Sequence, residues 1–155
     1  DLLSQAEHGS DSQVLFVTDQ ADFIPRVQRE LALQVAKLPR QALAEQALAH
    51  SLAISFTDET MMFEFINTYA PEHLILHWTD EHHAADQIRN AGSVFLGPWS
   101  PESVGDYASG TNHTLPTAGY ATAFGGVSLE SYLKYITYQR ITQEGLKTIG
   151  PVVEQ

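Results

Sequence analysis

Gln5 and His8 are the first pair of side chains whose types and spacing suit a chemical role. They lie three residues apart in a segment of helical character, where both would face the same side of a helix and reach a single ion. Most pairs of this kind are solvated side chains, and glutamine is an uncommon metal ligand. The pair alone therefore leaves a metal site and a solvated helix face both open.

A second pair, Glu72 and His73, follows Pro71 at the start of an apolar segment that predicts a strand. A carboxylate and an imidazole together can serve as two proton-transfer groups. Neighbouring residues on a regular strand point to opposite faces, so the simpler interpretation buries one and exposes the other. For both to reach one site, the backbone around Pro71 must depart from a regular strand, and we expect that it does.

A third group of candidates lies in the glycine-rich segment 103–117, which contains Asp106, Tyr107 and His113. Asp106 is a candidate metal ligand and His113 a candidate substrate contact, although polar residues of this kind are also common in turns. The chain has no cysteine. A site made of Gln, His, Asp and Glu side chains suits zinc or a harder divalent ion, and the reaction stays open between metal-assisted hydrolysis and oxidation.

The composition predicts a soluble globular domain. The chain has 155 residues, of which 43% are hydrophobic and 17% charged, and its net charge is −11. A surface this acidic repels phosphate backbones, so we expect no nucleic-acid partner. No apolar run is long enough to span a membrane, and the lack of cysteine is compatible with a reducing compartment. We therefore expect a cytoplasmic domain without a membrane partner.

Alternating strands and helices must position these residues. Strand patterns occur over 13–19, 51–57, 72–78 and 93–97. Helical patterns occur over 21–37, 39–51, 58–70 and 80–92. Such alternation predicts a Rossmann-like α/β fold, with layered helices around a largely parallel sheet. Segment 97–128 has no sustained period and predicts a long functional loop, after which helix and strand resume.

Local signals support two of the helices. Pro25 fits the first turn of the helix over 21–37, where its missing N–H is not needed. Asp58 can cap the helix over 58–70. The apolar face of that second helix is expected to comprise Met61, Met62, Phe65, Ile66 and Tyr69.

Four stretches resemble the histidinol dehydrogenase family: DLLSQAEHG, YAPEHLIL, AGSVFLGPWSPESVGDYASGTNHTLPT and EGLKTIGP. They occur in the family's order and run through the whole chain. The resemblance implies an α/β enzyme of histidine biosynthesis that acts as a homodimer. It also implies that the enzyme oxidises L-histidinol to L-histidine through L-histidinal, with NAD and zinc as cofactors.

The resemblance assigns roles that spacing alone leaves open. It implies three zinc ligands: Gln5, His8 and Asp106. It implies two catalytic proton-transfer residues: Glu72 and His73. It implies that the substrate contacts or approaches Gln5, His8, His73, Asp106, Tyr107 and His113. For Gln5 and His8 this reverses the simpler interpretation of a solvated pair.

The resemblance further implies that residues 1–155 form a single α/β fragment of a larger enzyme. The family takes another zinc-ligating histidine and a substrate-binding glutamate from beyond Gln155, and its NAD-binding residues precede Asp1. No NAD-contacting residue is therefore assigned, and the fragment alone is expected to be inactive. The alternative is a non-catalytic metal-binding or dimerisation module.

Overall fold

The structure, a computed structural model, describes residues 1–154. Its helices and strands follow in the order α1 (Leu2–Ala6), β1 (Leu15–Thr18), α2 (Ile24–Val35), α3 (Gln41–Ala49), β2 (Leu52–Ser55), α4 (Glu59–Tyr69), β3 (His73–Leu76), α5 (Glu81–Gln87), β4 (Ser93–Leu96), α6 (Glu102–Val104) and α7 (Gln143–Val153). This alternation confirms the predicted α/β class. None of these helices has the length and apolar character needed to cross a membrane.

The strands form two separate parallel sheets of two strands each, whereas the sequence pattern predicted one larger sheet. β1 pairs with β2, with Leu15 opposite Leu52. β3 pairs with β4, with His73 opposite Ser93. Parallel neighbours need a crossover connection, which α2 and α3 provide for the first pair and α5 for the second.

The buried apolar residues form two cores, and the second of them takes side chains from β3 and β4. The first core contains Leu3, Ala6, Val14, Val35, Ala44 and Ala47. The second contains Met62, Phe63, Ile66, Leu76 and Ala84. The predicted apolar face of α4 is confirmed for Met62, Phe65 and Ile66 but wrong for Met61 and Tyr69, which are exposed. The packing angle of α4 buries Phe63 instead.

The two local helix signals are confirmed. Pro25 lies in the first turn of α2. The Asp58 carboxylate accepts a hydrogen bond from the backbone N–H of Met61 at 3.0 Å and so caps α4. This helix ends at Ala70, whose backbone is left-handed with φ 50° and ψ 66°. The reversal at Ala70 leads the chain directly into Pro71 and β3.

The segment predicted as a long loop contains short helical turns. After α6 come a single π turn at Gly105–Ser109 and a 3-10 turn at Tyr120–Thr122. The strand expected after residue 128 is absent from the described part of the chain, where only a 3-10 turn at Leu129–Tyr132 precedes α7. Most apolar side chains of residues 129–153 are exposed, so this part of the chain has no core of its own to specify a strand.

Asn67 ties the connection between α5 and β4 to α4. This buried residue accepts hydrogen bonds at Oδ1 from the backbone N–H groups of Arg89 and Asn90, at 2.6 and 3.1 Å. Its Nδ2 donates to the carbonyl of Gln87 at 2.8 Å. These bonds satisfy three backbone groups at the end of α5 and thereby help to define where β4 begins.

Replacing Asn67 by alanine removes these three hydrogen bonds and leaves part-buried backbone groups without a partner. We expect the free energy of unfolding to fall by about 2–4 kcal/mol, measured by urea unfolding. The control is Gln46→Ala on the exposed side of α3, which we expect to change it by about 0.5 kcal/mol or less. Indistinguishable unfolding curves for the two variants would contradict the role given to Asn67.

Candidate metal and proton-transfer site

The β3–β4 sheet carries different chemistry on its two faces. Leu74 and Leu76 pack on the second core, and alternation along β3 places His73 on the opposite face. Phe95 of β4 shares that face with His73, and the two rings stack with centroids 6.1 Å apart and an interplanar angle of 24°. This stacking limits the rotation of the His73 imidazole.

The chain after β4 returns to this face through a close contact at Gly105. A Cβ atom added there would lie 2.5 Å from Cε1 of Phe95, so the backbone can approach the ring only because the residue is glycine. Gly105 directly follows α6 and is the first residue of the π turn. Its contact with Phe95 therefore brings Glu102 on one side and Asp106 on the other close to His73.

His73, Glu102 and Asp106 form the candidate site. Each offers one ligand atom, and these atoms all lie within 4.8 Å of one another. Glu102 is only 2% exposed, and the His73 side chain is 10% exposed. The Nε2 of His73 lies 3.9 Å from Oε1 of Glu102, which is longer than a hydrogen bond. One imidazole nitrogen and two carboxylates are a donor set that suits zinc.

The N-terminal helix reaches the same place through Ser4. The Ser4 hydroxyl lies 3.3 Å from Oε2 of Glu102 and 2.6 Å from the carbonyl oxygen of Asp1, so two acceptors compete for its one proton. Gln5 follows directly, and its side-chain nitrogen is buried. The contact brings Ser4, near the start of the chain, beside a residue 98 positions later.

Two of the buried polar atoms without a partner belong to this cluster. Within residues 1–154 these atoms are Gln5 Nε2, His73 Nε2 and Glu102 Oε1. Buried polar side-chain atoms in native proteins usually have at least one hydrogen-bond partner. The unpaired His73 and Glu102 atoms lie 3.9 Å apart, and such a pair fits a site that binds a cation or a polar ligand.

Of the predicted site residues, the structure brings His73 and Asp106 together. Glu72 is half-buried and lies at a bend directly before β3, where its carbonyl accepts the N–H of Ser93 at 2.9 Å. That bend and the left-handed backbone of Ala70 confirm the predicted departure from a regular strand around Pro71. Glu72 lies outside the three-residue cluster, so its approach to the site stays a prediction.

The remaining predicted residues are not joined to the cluster in the part of the chain that the structure describes. His8 is exposed in the turn after α1, which ends at Ala6, so the expected helix is shorter than the Gln5–His8 spacing needs. Tyr107 is 88% exposed and His113 is also exposed. Their contacts with metal or substrate, and those of Gln5, stay predictions.

Glu102 is the site residue that the sequence prediction missed. It lies at the start of α6, where an acidic residue is common because it favours the helix N-terminus. Its spacing offered a signal: Glu102 and Asp106 are four residues apart, which places two carboxylates on one side of a helical segment.

Comparison with known proteins identifies the family. The sequence profile described as histidinol dehydrogenase matches residues 1–155. The chain belongs to the histidinol dehydrogenase family. It is 54% identical to the chloroplastic histidinol dehydrogenase of Arabidopsis thaliana over 155 residues, which cover 99% of this chain and 33% of that protein. It is 51% identical to the histidinol dehydrogenase of Bacteroides thetaiotaomicron over 155 residues, which cover 100% of this chain and 36% of that protein.

A solved structure of the same family shares the fold. The crystal structure of histidinol dehydrogenase from Elizabethkingia anophelis matches with a TM-score of 0.92 at 50% identity, over 99% of this chain and 35% of that chain. The chain therefore spans about a third of the length of the histidinol dehydrogenases that it matches. Both the resemblance and the fold class predicted from the sequence are confirmed.

The close contact at Gly105 can be tested by substitution. We expect Gly105→Ala to lower the free energy of unfolding by about 1–3 kcal/mol, because the added Cβ overlaps the Phe95 ring. Urea unfolding measures the change. The matched control is Gly125→Ala, where an added Cβ meets nothing within 4 Å, with an expected change of about 0.5 kcal/mol or less. Equal losses in the two variants would show that the Phe95 contact is not tight.

Proposed function

We propose that the full-length protein carrying this segment oxidises L-histidinol to L-histidine through L-histidinal, the last step of histidine biosynthesis, with NAD and zinc. Family membership supports the reaction, and the convergence of His73 and Asp106 on one sheet face supports the site. Because the chain spans about a third of its relatives, we assign the activity to the longer protein and expect the segment alone to be inactive. A homodimer in the cytoplasm stays a prediction from the resemblance.

The donor groups of the site fit zinc. Asp106 belongs both to the ligand set implied by the resemblance and to the cluster of three metal-ligand side chains. Gln5 and His8 complete the set implied by the resemblance, and the contact of Ser4 with Glu102 holds the helix of Gln5 against the site. Zinc, when bound, supplies positive charge and a template that orients the substrate.

His73 is the general base for the first oxidation. It takes the hydroxyl proton of histidinol while the carbon-bound hydrogen leaves as hydride, and NAD supplies the hydride acceptor. The stack on Phe95 holds the imidazole in place for this transfer. Glu72 then removes a proton from the water that attacks the aldehyde carbon of histidinal, and His73 again accepts a proton as the second hydride leaves.

The exposed apolar surface of residues 129–153 is the observation behind a second candidate function. Large side chains of this segment, including Tyr132, Tyr135, Tyr138 and Val153, are exposed on the described chain. Extended apolar surface of this kind is typical of protein–protein interfaces. It is compatible with an enzyme subunit, and equally with a metal-binding or dimerisation module that has no catalytic role. Turnover of histidinol distinguishes the two.

The function is tested with the full-length protein, histidinol and NAD. We expect NADH to form, and its absorbance measures the rate of formation. We expect Asp106→Ala to lower both this rate and the zinc content found by elemental analysis. The matched control is Asp86→Ala on an exposed position of α5, which should change neither. Full zinc content in Asp106→Ala would contradict the ligand assignment. No histidinol-dependent NADH formation by the unaltered protein would contradict the proposed function.

Two variants separate the roles of the proton-transfer residues. We expect His73→Asn to slow the oxidation of histidinol, and Glu72→Gln to slow mainly the oxidation of histidinal, since only that step needs activated water. Each loss should be about 10²–10⁴-fold. Both variants are assayed with each substrate, with zinc content measured in parallel so that lost metal is not mistaken for lost catalysis. If Glu72→Gln slowed both oxidations equally, this division of roles would be wrong.

A further inference from the structure

Glu102 is a buried carboxylate to which the proposed function gives no role. Its Oε2 lies 3.3 Å from the Ser4 hydroxyl, whose one proton also has the carbonyl of Asp1 as an acceptor at 2.6 Å, and its Oε1 has no partner among residues 1–154. Moving a carboxylate out of water is unfavourable unless hydrogen bonds or an opposite charge compensate for the lost hydration. One weak bond from a hydroxyl does not compensate for it. Glu102 therefore needs a further partner on its Oε1 side.

His73 is the partner that the geometry offers. Its Nε2 lies 3.9 Å from Oε1 of Glu102, and both atoms are buried without another partner in the described chain. A hydrogen bond needs a distance shorter by about 1 Å, which a small rotation of either side chain supplies. Asp106 lies in the same cluster, but its carboxylate is an acceptor like that of Glu102 and cannot fill this role.

We propose that Glu102 is a positioning residue for His73, an inference that rests on the proposed function. The Glu102 carboxylate accepts a hydrogen bond from Nε2 of His73 and fixes the rotation of the ring, while the Ser4 hydroxyl contacts the other oxygen of the carboxylate. Such carboxylate–imidazole pairs orient histidines at many enzyme sites and select their tautomer. With Nε2 donating to Glu102, Nδ1 keeps the lone pair that accepts the substrate proton.

This arrangement holds His73 from two directions. The Phe95 ring limits the tilt of the imidazole plane, and Glu102 holds the Nε2 edge of the imidazole on its own side. The supports come from different elements, because Phe95 lies on β4 and Glu102 on α6. Loss of Glu102 should therefore leave His73 in the site but wrongly oriented for part of the time. That effect lowers the rate of the chemical step more than the affinity for substrate.

The first test is steady-state kinetics of Glu102→Gln in the full-length enzyme. We expect kcat to fall by about 10–100-fold with both histidinol and histidinal, since His73 acts in both oxidations. The KM for histidinol and the zinc content should stay close to those of the unaltered enzyme. The matched control is Glu64→Gln, an exposed glutamate of α4, which should leave kcat unchanged. Zinc loss as large as in Asp106→Ala would make Glu102 a metal ligand and overturn the proposal.

The decisive test is a double-variant comparison. A positioning residue has nothing to position once the imidazole is gone, so Glu102→Gln added to His73→Asn should lower kcat little further. An equal loss of rate in both backgrounds would overturn the proposal while leaving the proposed function intact. Failure of the unaltered enzyme to oxidise histidinol would overturn both.

A second variant covers the case in which Glu102→Gln does not fold, which circular dichroism detects. Ser4→Ala leaves the Glu102 carboxylate in place and removes the hydroxyl beside it, together with the bond from that hydroxyl to the carbonyl of Asp1. We expect a smaller fall in kcat than for Glu102→Gln, with KM unchanged, and no further fall when Ser4→Ala is combined with His73→Asn. A fall that persists in the His73→Asn background would show that this contact does not act through His73.

Discussion

The parallel pairing of β3 with β4 is the constraint on which the candidate site depends. Alternation along β3 assigns Leu74 and Leu76 to the apolar core and His73 to the opposite face. A shift of the register by one residue would exchange the two faces and turn the imidazole into the core. Gly92 helps to keep the register, because a Cβ there would lie 2.5 Å from the carbonyl oxygen of Glu72. The close approach of the two strands thus helps to position His73 in the candidate site.

The helices and strands could be predicted from the sequence more completely than their arrangement. Pro25 and Asp58 act within a single helical turn, so their effects are visible in the local sequence. The choice of strand neighbours depends on packing between distant segments, which hydrophobic periodicity does not encode, and two sheets form where one was predicted. Met61 shows the same limit within one helix, since the orientation of α4 on its sheet buries Phe63 instead.

The residues of the candidate site likewise differ in how far the sequence could predict them. His73 and Asp106 could be named in advance because the family resemblance assigned them roles, and the fold then brought them together. The importance of Glu102 lies in its burial and in the lack of a partner for Oε1, which are properties of the tertiary structure. They arise only when α6 packs over Phe95 through Gly105. Sequence spacing could mark Glu102 as a candidate, but not as a buried carboxylate beside an imidazole.

Ala70 makes the turn before β3 stiff. A side chain in the left-handed region costs about 1 kcal/mol relative to glycine, and the Ala70 methyl group offsets this strain by its burial at 1% exposure. Glycine would relieve the strain but would open many more backbone conformations, and the ring of Pro71 restricts the next residue as well. Glu72 and His73 therefore begin from a backbone with little freedom to adapt. Any adjustment of the site to a bound ligand then falls to the glycine-containing segment around Asp106, while the start of β3 acts as a fixed reference.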